Sequence, residues 1–160
     1  MDYVKKYEKI VRVLIKKHFP SLRGIKIKIK EKKLMNAYTY MLGSLFLDYY
    51  SIFVSPELRN KHQIITAGLV HELIHFEDFK KWKLNFFQGI LLEIKYLFSK
   101  KYRTEIERRT DIKTIKKGYG KGLLLYRKFL EKSLSEKLFK KRKAYYLSKE
   151  EIAEYLKRQK

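Results

Sequence analysis

Apolar side chains recur three and four positions apart over the first stretch of the chain. They are Tyr3, Val4, Tyr7, Ile10, Val11, Leu14 and Ile15. This spacing places them on one face, and it predicts an amphipathic helix over residues 3–18. Pro20 and Gly24 follow, and both residue types favour turns. Isoleucine and lysine then alternate strictly over residues 25–30, which predicts a strand with one buried face and one lysine-covered face.

Aromatic and β-branched residues become frequent between residues 34 and 54. Such residues favour the pleated surface of a sheet, and the stretch predicts two further strands, at 37–42 and 49–55. Pro56 ends the second strand, because proline cannot donate a hydrogen bond to a neighbouring strand. We expect a turn or loop between the two strands.

Helical spacing dominates the residues that follow. Asn60, with a glutamine three residues later, resembles a helix N-cap and predicts a helix from Lys61 to Lys80. Residues 82–117 form a long helical tract with one apolar face. A break near Asn85 or Ser99 would divide this tract into two helices.

Glycine is frequent in residues 118–122, which we expect to be flexible and to end the main domain. Helical spacing returns at 123–142, and Ser148 opens a capping box for a last short helix. The predicted organisation is a main domain at 1–117 and a helical C-terminal appendage at 118–160. The predicted class is α+β, with a small mixed or antiparallel sheet of about three strands packed on the helix that follows it and on further helices.

Composition supports a folded chain. It has 160 residues, of which 45% are hydrophobic and 15% aromatic, whereas disordered chains are poor in aromatic residues. Cysteine is absent, so a metal site would have to use histidines and carboxylates. The first residues lack the apolar block of a signal peptide, and the longest uncharged run, 34–47, is too short to span a bilayer. We therefore expect a cytoplasmic protein without a transmembrane segment.

The formal net charge is +22, from 39 Lys and Arg against 17 Asp and Glu. Such a balance attracts polyanions, so nucleic acid and anionic membrane surfaces are candidate partners. The basic residues are spread over the whole chain, however, without zinc-finger spacing, an RNP signature or a glycine-rich phosphate loop. No specific nucleic-acid partner is therefore expected.

One His-Glu-x-x-His sequence occurs, formed by His71, Glu72 and His75. Residues four apart lie on one face of a helix, so both imidazoles would face a single point. Imidazole is a good zinc ligand, and this spacing on a helix is typical of zinc metallopeptidases. Glu72 lies beside the first ligand, where a carboxylate can act as general base. The alternative is a pair of ordinary helix histidines, which would be costly if unpaired beside Leu73 and Ile74.

A zinc site of this kind needs a third protein ligand. Glu107 and Asp111 fall four residues apart on one helical face. Glu107 would complete the ligand set, and Asp111 would accept the free ring N–H of a zinc-bound histidine. Glu105 is the competing ligand, and we prefer Glu107 because only it has an acidic residue four positions later. The alternative for this face is ordinary pairing with neighbouring arginines.

The strand before the zinc helix has a use beyond packing. An edge strand can pair with an extended peptide and align its scissile carbonyl over a metal. Residues 36–39 are the candidate strand for this role. The alternative is that they lie in the interior of the sheet.

Together these motifs resemble the gluzincin clan of metallopeptidases. Asn36, Ala37 and Tyr38 are similar to the Asn-Ala-Phe element of the CAAX prenyl protease and heat-shock membrane peptidase family, and residues 51–58 resemble its following strand and helix entry. The likeness covers residues 34–112. Those relatives span membranes, so this chain is more similar to the soluble, single-domain minigluzincins.

The resemblance implies a zincin-like fold, a zinc ion and cleavage of short or unstructured peptides, with Asn36, Ala37 and Tyr38 contacting the substrate. It also implies a downstream residue that stabilises the oxyanion, for which Tyr119 and Tyr102 are the candidates. Related enzymes can be held latent as zymogens by a flexible terminal segment. Here the basic, aromatic C-terminal segment would cover the cleft or mediate self-association.

Three functions follow from the sequence. The first is a zinc metalloendopeptidase in which His71, His75 and Glu107 bind zinc and Glu72 transfers protons. The second is a binding module for nucleic acid or an anionic membrane that keeps a structural or vestigial zinc site. The third is a latent scaffold that no longer turns over.

Overall fold

A computed structural model gives the fold, and it describes residues 2–34, 39–44, 49–83 and 86–159. The α-helices are α1 (Tyr3–His18), α2 (His62–Lys83), α3 (Phe86–Phe98), α4 (Lys100–Thr114), α5 (Gly120–Ser133), α6 (Glu136–Lys143) and α7 (Lys149–Arg158). The strands are β1 (Ile27–Glu31), β2 (Thr39–Ser44) and β3 (Tyr49–Val54). Short 3-10 turns occupy Pro20–Leu22 and Pro56–Leu58, and a π turn occupies Ile115–Tyr119. The predicted α+β class is confirmed.

The three strands form a mixed sheet in the order β1, β3, β2. β1 runs parallel to β3, and β2 runs antiparallel to it. Ile52, at the centre of β3, is paired with Ile29 on one side and Met41 on the other. β2 is therefore an edge strand in the described part of the chain. Strand β1 begins two residues later than predicted, and β2 occupies 39–44 where 37–42 was predicted. Strand β3 begins at Tyr49 as predicted and ends one residue earlier, and such differences are ordinary for element ends.

Helix α2 is the centre of the molecule. It packs against β2 and β3 on one side and against α4 and α5 on the other. Leu69, Val70, Leu73 and Ile74 have no exposed surface, so consecutive residues are buried all around the helix. A helix that is apolar all round belongs in a core. The backbone of α2 is therefore rigidly packed, and it fixes the positions of the side chains that α2 carries.

The predicted N-cap of α2 at Asn60 is wrong. Asn60 has φ 65° and accepts a hydrogen bond from the Tyr3 hydroxyl, so it lies in the preceding turn. The first helical bond runs from the Ile65 N–H to the Lys61 carbonyl, and the helix begins at His62. Asparagine is favoured in left-handed turns for the same reason that it is favoured in caps, because its side chain bonds the local backbone.

The predicted division of the tract at 82–117 is confirmed at Ser99. The Ser99 side chain accepts from the Tyr102 N–H and caps α4. Helix α3, before it, has 13 residues and is about 20 Å long, less than the hydrocarbon thickness of a bilayer. Among the described residues, no helix has the length and apolar character needed to cross a membrane.

The helices after residue 118 share one hydrophobic core with the rest of the chain. Leu123, Leu130, Leu147 and Ile152 are buried in the same cluster as the core residues of α1, α2 and the sheet. The capping box at Ser148 is confirmed. The helix predicted at 123–142 is instead divided between α5 and α6, with Leu134 in an extended conformation between them. Helices α5 and α7 and the segment between α6 and α7 thus contribute residues to the folded core.

Gly122 is where α5 meets α2. A Cβ atom at this position would lie 2.4 Å from the backbone oxygen of Gln63 and 2.9 Å from the Ala67 Cβ. The glycines at 118–122, predicted to be flexible, therefore include one that permits close packing of two helices. Of the glycines at 118–122, only Gly118 has a left-handed conformation, with φ 90° at the kink between α4 and α5.

Replacing Gly122 with alanine should destabilise the fold by about 1–3 kcal/mol, because backbone cannot move aside as a side chain can. Gly120→Ala is the matched control on the same helix, since its Cβ would meet the mobile end of Leu156 at 2.7 Å. Chemical denaturation of both variants measures the difference. Equal loss of unfolding free energy in the two variants would contradict the close α2–α5 contact.

Candidate metal centre and adjoining cavity

Two histidines of α2 and one glutamate of α4 converge on a single point. His71 and His75 lie one turn apart, and their Nε2 atoms are 3.1 Å from each other. The Oε2 atom of Glu107 lies 3.1 Å from the Nε2 of His71 and 3.4 Å from the Nε2 of His75. The three atoms therefore form a nearly equilateral triangle of possible metal ligands.

The size of this triangle fits a tetrahedral metal. Ligand bonds of about 2.0–2.1 Å place neighbouring ligand atoms of a tetrahedron about 3.3 Å apart. Hydrogen bonds explain the close approach of the three atoms less well than a metal does. A proton in a hydrogen bond links only two of the three atoms, whereas a metal ion can contact all three at once. A cation at the centre accepts one lone pair from each. The residues present thus fit a metal ion with a fourth position left for another ligand.

Without a metal, the cluster shares protons instead. Burial alone would lower the pKa of His71, but Asp111 and Glu107 outweigh it and raise the pKa to about 10. Burial likewise opposes ionisation of Glu107, but His75 and His71 hold its pKa well below the ordinary value. A metal binding here would displace the proton that His71 carries, so binding should release protons.

Two of the three ligands, Glu107 and His71, are each held by a partner behind them. The second oxygen of Glu107, Oε1, accepts a hydrogen bond from the Tyr96 hydroxyl of α3. The Nδ1 atom of His71 lies 3.1 Å from Oδ1 of Asp111, at ion-pair distance although poorly aligned for a hydrogen bond. These partners leave Oε2 and Nε2 facing the centre of the cluster, which fixes the orientation of the ligands.

Asp111 also connects the cluster to the C-terminal segment. It has no exposed surface. Its carboxylate accepts two hydrogen bonds from Arg127 of α5, at 2.7 and 2.8 Å, and one from the Leu147 N–H at 3.0 Å. Burial would raise the pKa of Asp111, but Arg127 and His71 lower it. The carboxylate is thus ionised and joins α4, α5 and the segment before α7.

Glu72 lies on the cavity side of α2, next to the edge strand. Its Oε1 atom accepts a hydrogen bond from the Thr39 hydroxyl of β2 at 3.0 Å. This contact depends on a close approach between strand and helix at Gly68, where a Cβ atom would lie 2.8 Å from the Thr39 Cγ2. Gly68 lies one turn before Glu72. Because a glycine at this position lets β2 approach α2 closely, Thr39 reaches the Glu72 carboxylate and fixes its position.

A cavity of about 230 Å³ adjoins the cluster. The edge strand contributes one wall through Thr39, Tyr40 and Met41. Helices α3 to α6 and the segment after α6 contribute the others, including three arginines and three tyrosines. These are Arg103, Arg127, Arg142, Tyr96, Tyr126 and Tyr146. The cavity is large enough for part of a peptide, and it opens directly onto His71, Glu72 and His75.

The comparisons identify no relative. No family model, curated protein or solved structure matches this chain significantly. The function of the site must therefore be argued from its own geometry and chemistry.

The other residues predicted for the site have different positions. Glu105, the competing third ligand, is exposed, whereas Glu107 is buried in the cluster. The Tyr119 hydroxyl lies 3.1 Å from the Nε2 of His18, and neither it nor Tyr102 lines the cavity. The oxyanion role predicted for Tyr119 therefore has no geometric support. Asn36, Ala37 and Tyr38 lie outside the described residues, although Thr39, directly after them, lines the cavity.

Several residues of the site could not be found from the sequence. Tyr96 looked like one more apolar position of its helix, and Arg127 and Arg142 looked like ordinary basic residues of the C-terminal segment. One signal was available for Arg127, because a buried Asp111 needs a cationic partner. Nothing in the local pattern indicated which arginine that would be.

Proposed function

We propose that this protein is a zinc-dependent metallopeptidase of the gluzincin type. The observation that carries the proposal is the triangle of His71, His75 and Glu107 side chains, with Glu72 beside it and a cavity in front. Zinc is the metal that best suits two imidazoles and one carboxylate in a four-coordinate site. The position of the sheet and α2 around the cluster supports a zincin-like fold, similar to that of the minigluzincins.

The bound ion would supply Lewis acidity to the scissile carbonyl and to the attacking water. Glu72 is the residue placed to accept the proton of that water and to pass it to the leaving nitrogen. The Thr39 hydroxyl occupies Oε1 of this carboxylate, so Oε2 is the oxygen left for proton transfer. Asp111 and Tyr96 orient the ligands and take no part in bond making.

Strand β2 suits the binding of an extended substrate. It is an edge strand among the described residues, and Thr39, Tyr40 and Met41 line the cavity. A peptide can add to such an edge through main-chain hydrogen bonds, which requires that the peptide be unfolded. The proposed substrates are therefore short peptides or unstructured segments of proteins.

Tyr146 replaces Tyr119 as the proposed oxyanion-stabilising residue. Its ring centre lies 6.0 Å from that of His71, on the cavity wall. The Tyr146 hydroxyl accepts a hydrogen bond from Arg142 at 3.3 Å, which leaves its own proton free to donate. Burial and the nearby Glu107 raise the pKa of Tyr146, so the phenol keeps this proton at neutral pH.

The C-terminal segment is a wall of the cavity in this proposal. Arg142 and Tyr146 belong to it, and Arg108 fastens it to α4 through a hydrogen bond and ion pair with Glu151 at 2.5 Å. Latency through this segment would then require a local displacement of residues near 142–146. Deleting residues 123–160 would instead remove Leu123, Leu147 and other core residues, so we expect loss of folding rather than activation.

Zinc should stabilise the protein and switch on peptide cleavage. The metal-free chain, titrated with zinc to about 100 times its dissociation constant, should gain about 2.7 kcal/mol of stability, because only the folded state assembles the ligands. The thermal midpoint reports this gain, and digestion of a peptide library reports activity. His62→Ala is the matched control for His75→Ala, since His62 is exposed at the start of the same helix. Stabilisation that survives His75→Ala would contradict the proposed site.

A second candidate function is supported by α3, which has an exposed apolar face. Leu91, Ile94, Leu97 and Phe98 recur on it, and Phe98 is 85% exposed. The neighbouring Lys95, Lys100 and Lys101 are exposed as well, in a chain of net charge +22. An apolar helix face with adjacent lysines suits the surface of an anionic membrane, where the face enters the lipid and the lysines meet the headgroups.

Membrane binding by α3 predicts a clear difference between two vesicle compositions. The protein should sediment with vesicles of phosphatidylcholine and phosphatidylglycerol, and much less with phosphatidylcholine alone. Phe98→Asp should weaken this binding about tenfold or more, because it removes a large apolar side chain from the lipid. Leu125→Asp is the control, since Leu125 is exposed on α5. Membrane binding through α3 would be refuted if the two substitutions weakened vesicle binding equally, or if the protein bound RNA more tightly than the anionic vesicles.

A further inference from the structure

The cavity holds more positive charge than the carboxylates around it balance. Three arginines line it. Arg127 is paired with Asp111 at 2.7 Å. Arg103 and Arg142, in contrast, have no carboxylate at ion-pair distance among the described residues. The two unpaired guanidinium groups lie on walls formed by α4 and α6, on the same cavity as the metal ligands.

Arg142 is half-buried and has no ionic partner among the described residues. Its Nη2 atom donates to the Tyr146 hydroxyl at 3.3 Å, and its guanidinium lies 5.4 Å from the centre of that ring. Its Nη1 atom is buried and has no hydrogen-bond partner. A charge that is partly removed from water and left without a counter-charge destabilises a protein. Such an arrangement is expected where a ligand supplies the missing charge.

Arg103 is held in a similar state by aromatic rings. Its guanidinium lies 4.8 Å from the ring centre of Tyr145 and 5.3 Å from that of Tyr96. Contact with the faces of aromatic rings stabilises the cation but leaves its in-plane N–H donors unused. The Nε atom is buried and has no hydrogen-bond partner. The rings therefore fix the position of Arg103 while leaving it able to bind an anion.

The charges of the metal cluster do not remove this excess. Glu72 and Glu107 are the carboxylates that line the cavity. With a divalent cation bound, the two negative charges of these carboxylates would balance only the two positive charges of the cation. The charges of Arg103 and Arg142 would then remain, so a substrate that brings a negative charge would complete the cavity.

We propose that Arg103 and Arg142 form a carboxylate subsite, and that the protein takes peptides with an ionised carboxylate close to the bond to be cleaved. The inference rests on the proposed peptidase function and names its substrate class. A guanidinium group matches the two oxygens of a carboxylate in a planar fork. The carboxylate can belong to an acidic side chain or to the C-terminus of a short peptide.

Four peptides test the subsite and distinguish the two sources of the carboxylate. They share one sequence, carry glutamate or glutamine at the central position, and end in a carboxylate or an amide. Isothermal titration of the Glu72→Gln protein, metal-free and with zinc added, measures their binding without cleavage. The preferred carboxylate should bind about tenfold to a hundredfold more tightly than its neutral counterpart, as a charge-assisted hydrogen bond implies. Tighter binding of the glutamate peptide than of the glutamine peptide would assign the carboxylate to a side chain. Tighter binding of the peptide with a free C-terminus than of the amidated peptide would assign it to the C-terminus.

Substitutions then test whether Arg103 and Arg142 cause the preference for charged peptides. In the same background, Arg103→Gln and Arg142→Gln should each reduce the ratio of affinities for the charged and neutral peptides. Arg142→Lys should keep part of the ratio, because lysine retains the charge but not the planar fork. Arg12→Gln, on the exposed face of α1, changes the net charge equally and should leave the ratio unchanged. Circular dichroism of every variant checks that it is folded.

Equal affinity for all four peptides would overturn the carboxylate subsite, whatever the variants do. A preference for a charged peptide that Arg12→Gln lowers as much as Arg142→Gln would overturn it too, since net charge would then explain it. Zinc binding and cleavage by the unsubstituted protein are measured separately. A carboxylate preference without zinc binding or cleavage would overturn the proposed peptidase function and leave the subsite standing.

Discussion

Glu72→Gln should abolish most peptide cleavage while leaving zinc binding unchanged. Glutamine has nearly the same shape, and it can still accept the Thr39 hydroxyl that now bonds Oε1 at 3.0 Å. It cannot accept a proton, so the rate should fall by about 10²- to 10⁴-fold, the contribution typical of general base catalysis. Steady-state kinetics on one susceptible peptide gives the rate, and zinc titration gives the affinity.

Glu77→Gln is the matched control. Glu77 lies on the same helix and accepts a hydrogen bond from Ser21 at 2.8 Å, away from the cavity. The substitution removes the same charge and should leave the rate within about twofold, as expected for a surface change. A fall in zinc affinity with Glu72→Gln would show that Glu72 binds the metal and is not the base.

Asp111→Ala should lower both the stability of the fold and its affinity for zinc. The substitution leaves the Arg127 guanidinium buried without its counter-charge and the Leu147 N–H without its acceptor. Removing one member of a buried ion pair costs about 3–5 kcal/mol. Loss of the partner of His71 Nδ1 should weaken zinc binding by about 10- to 100-fold. Denaturation of the metal-free protein and zinc titration measure the two effects separately.

A double substitution separates structure from metal binding. Asp111→Ala with Arg127→Met removes both buried charges and should recover part of the lost stability. It should not recover zinc affinity, because His71 still lacks its carboxylate. Glu154→Ala, which breaks the exposed pair of Glu154 with Arg158, should cost at most about 1 kcal/mol. Recovery of zinc affinity in the double variant would show that Asp111 acts only through the fold.

The Glu72 and Asp111 predictions concern two sides of the same His-Glu cluster. Glu72 faces the cavity from α2, and Asp111 joins the rear of His71 to α5 and to the segment that precedes α7. The cluster is therefore supported by residues far apart in the chain. Damage to the C-terminal segment should affect the metal centre even though that segment supplies no ligand.

Much of the fold could be predicted because it depends on local pattern. The spacing of apolar residues correctly indicated α1, and single polar residues correctly indicated the break at Ser99 and the capping box at Ser148. Such features are decided by which face of an element is apolar and by hydrogen bonds between near neighbours. The glycines at 118–122 were misjudged, because close packing at Gly122 depends on Gln63, nearly sixty residues earlier.

The sequence by itself determined that two imidazoles of one helix, His71 and His75, share a face, because their spacing is fixed by the helical period. It also singled out Glu107 and Asp111 as a pair on a second helix. Only the tertiary structure decided that this second helix brings Glu107 level with the two imidazoles, and that Tyr96 and Arg127 hold Glu107 and Asp111. It alone also decided that two arginines line the cavity without a carboxylate partner among the described residues. Those contacts join residues with no fixed separation in sequence, so only the packing of the whole chain brings them together.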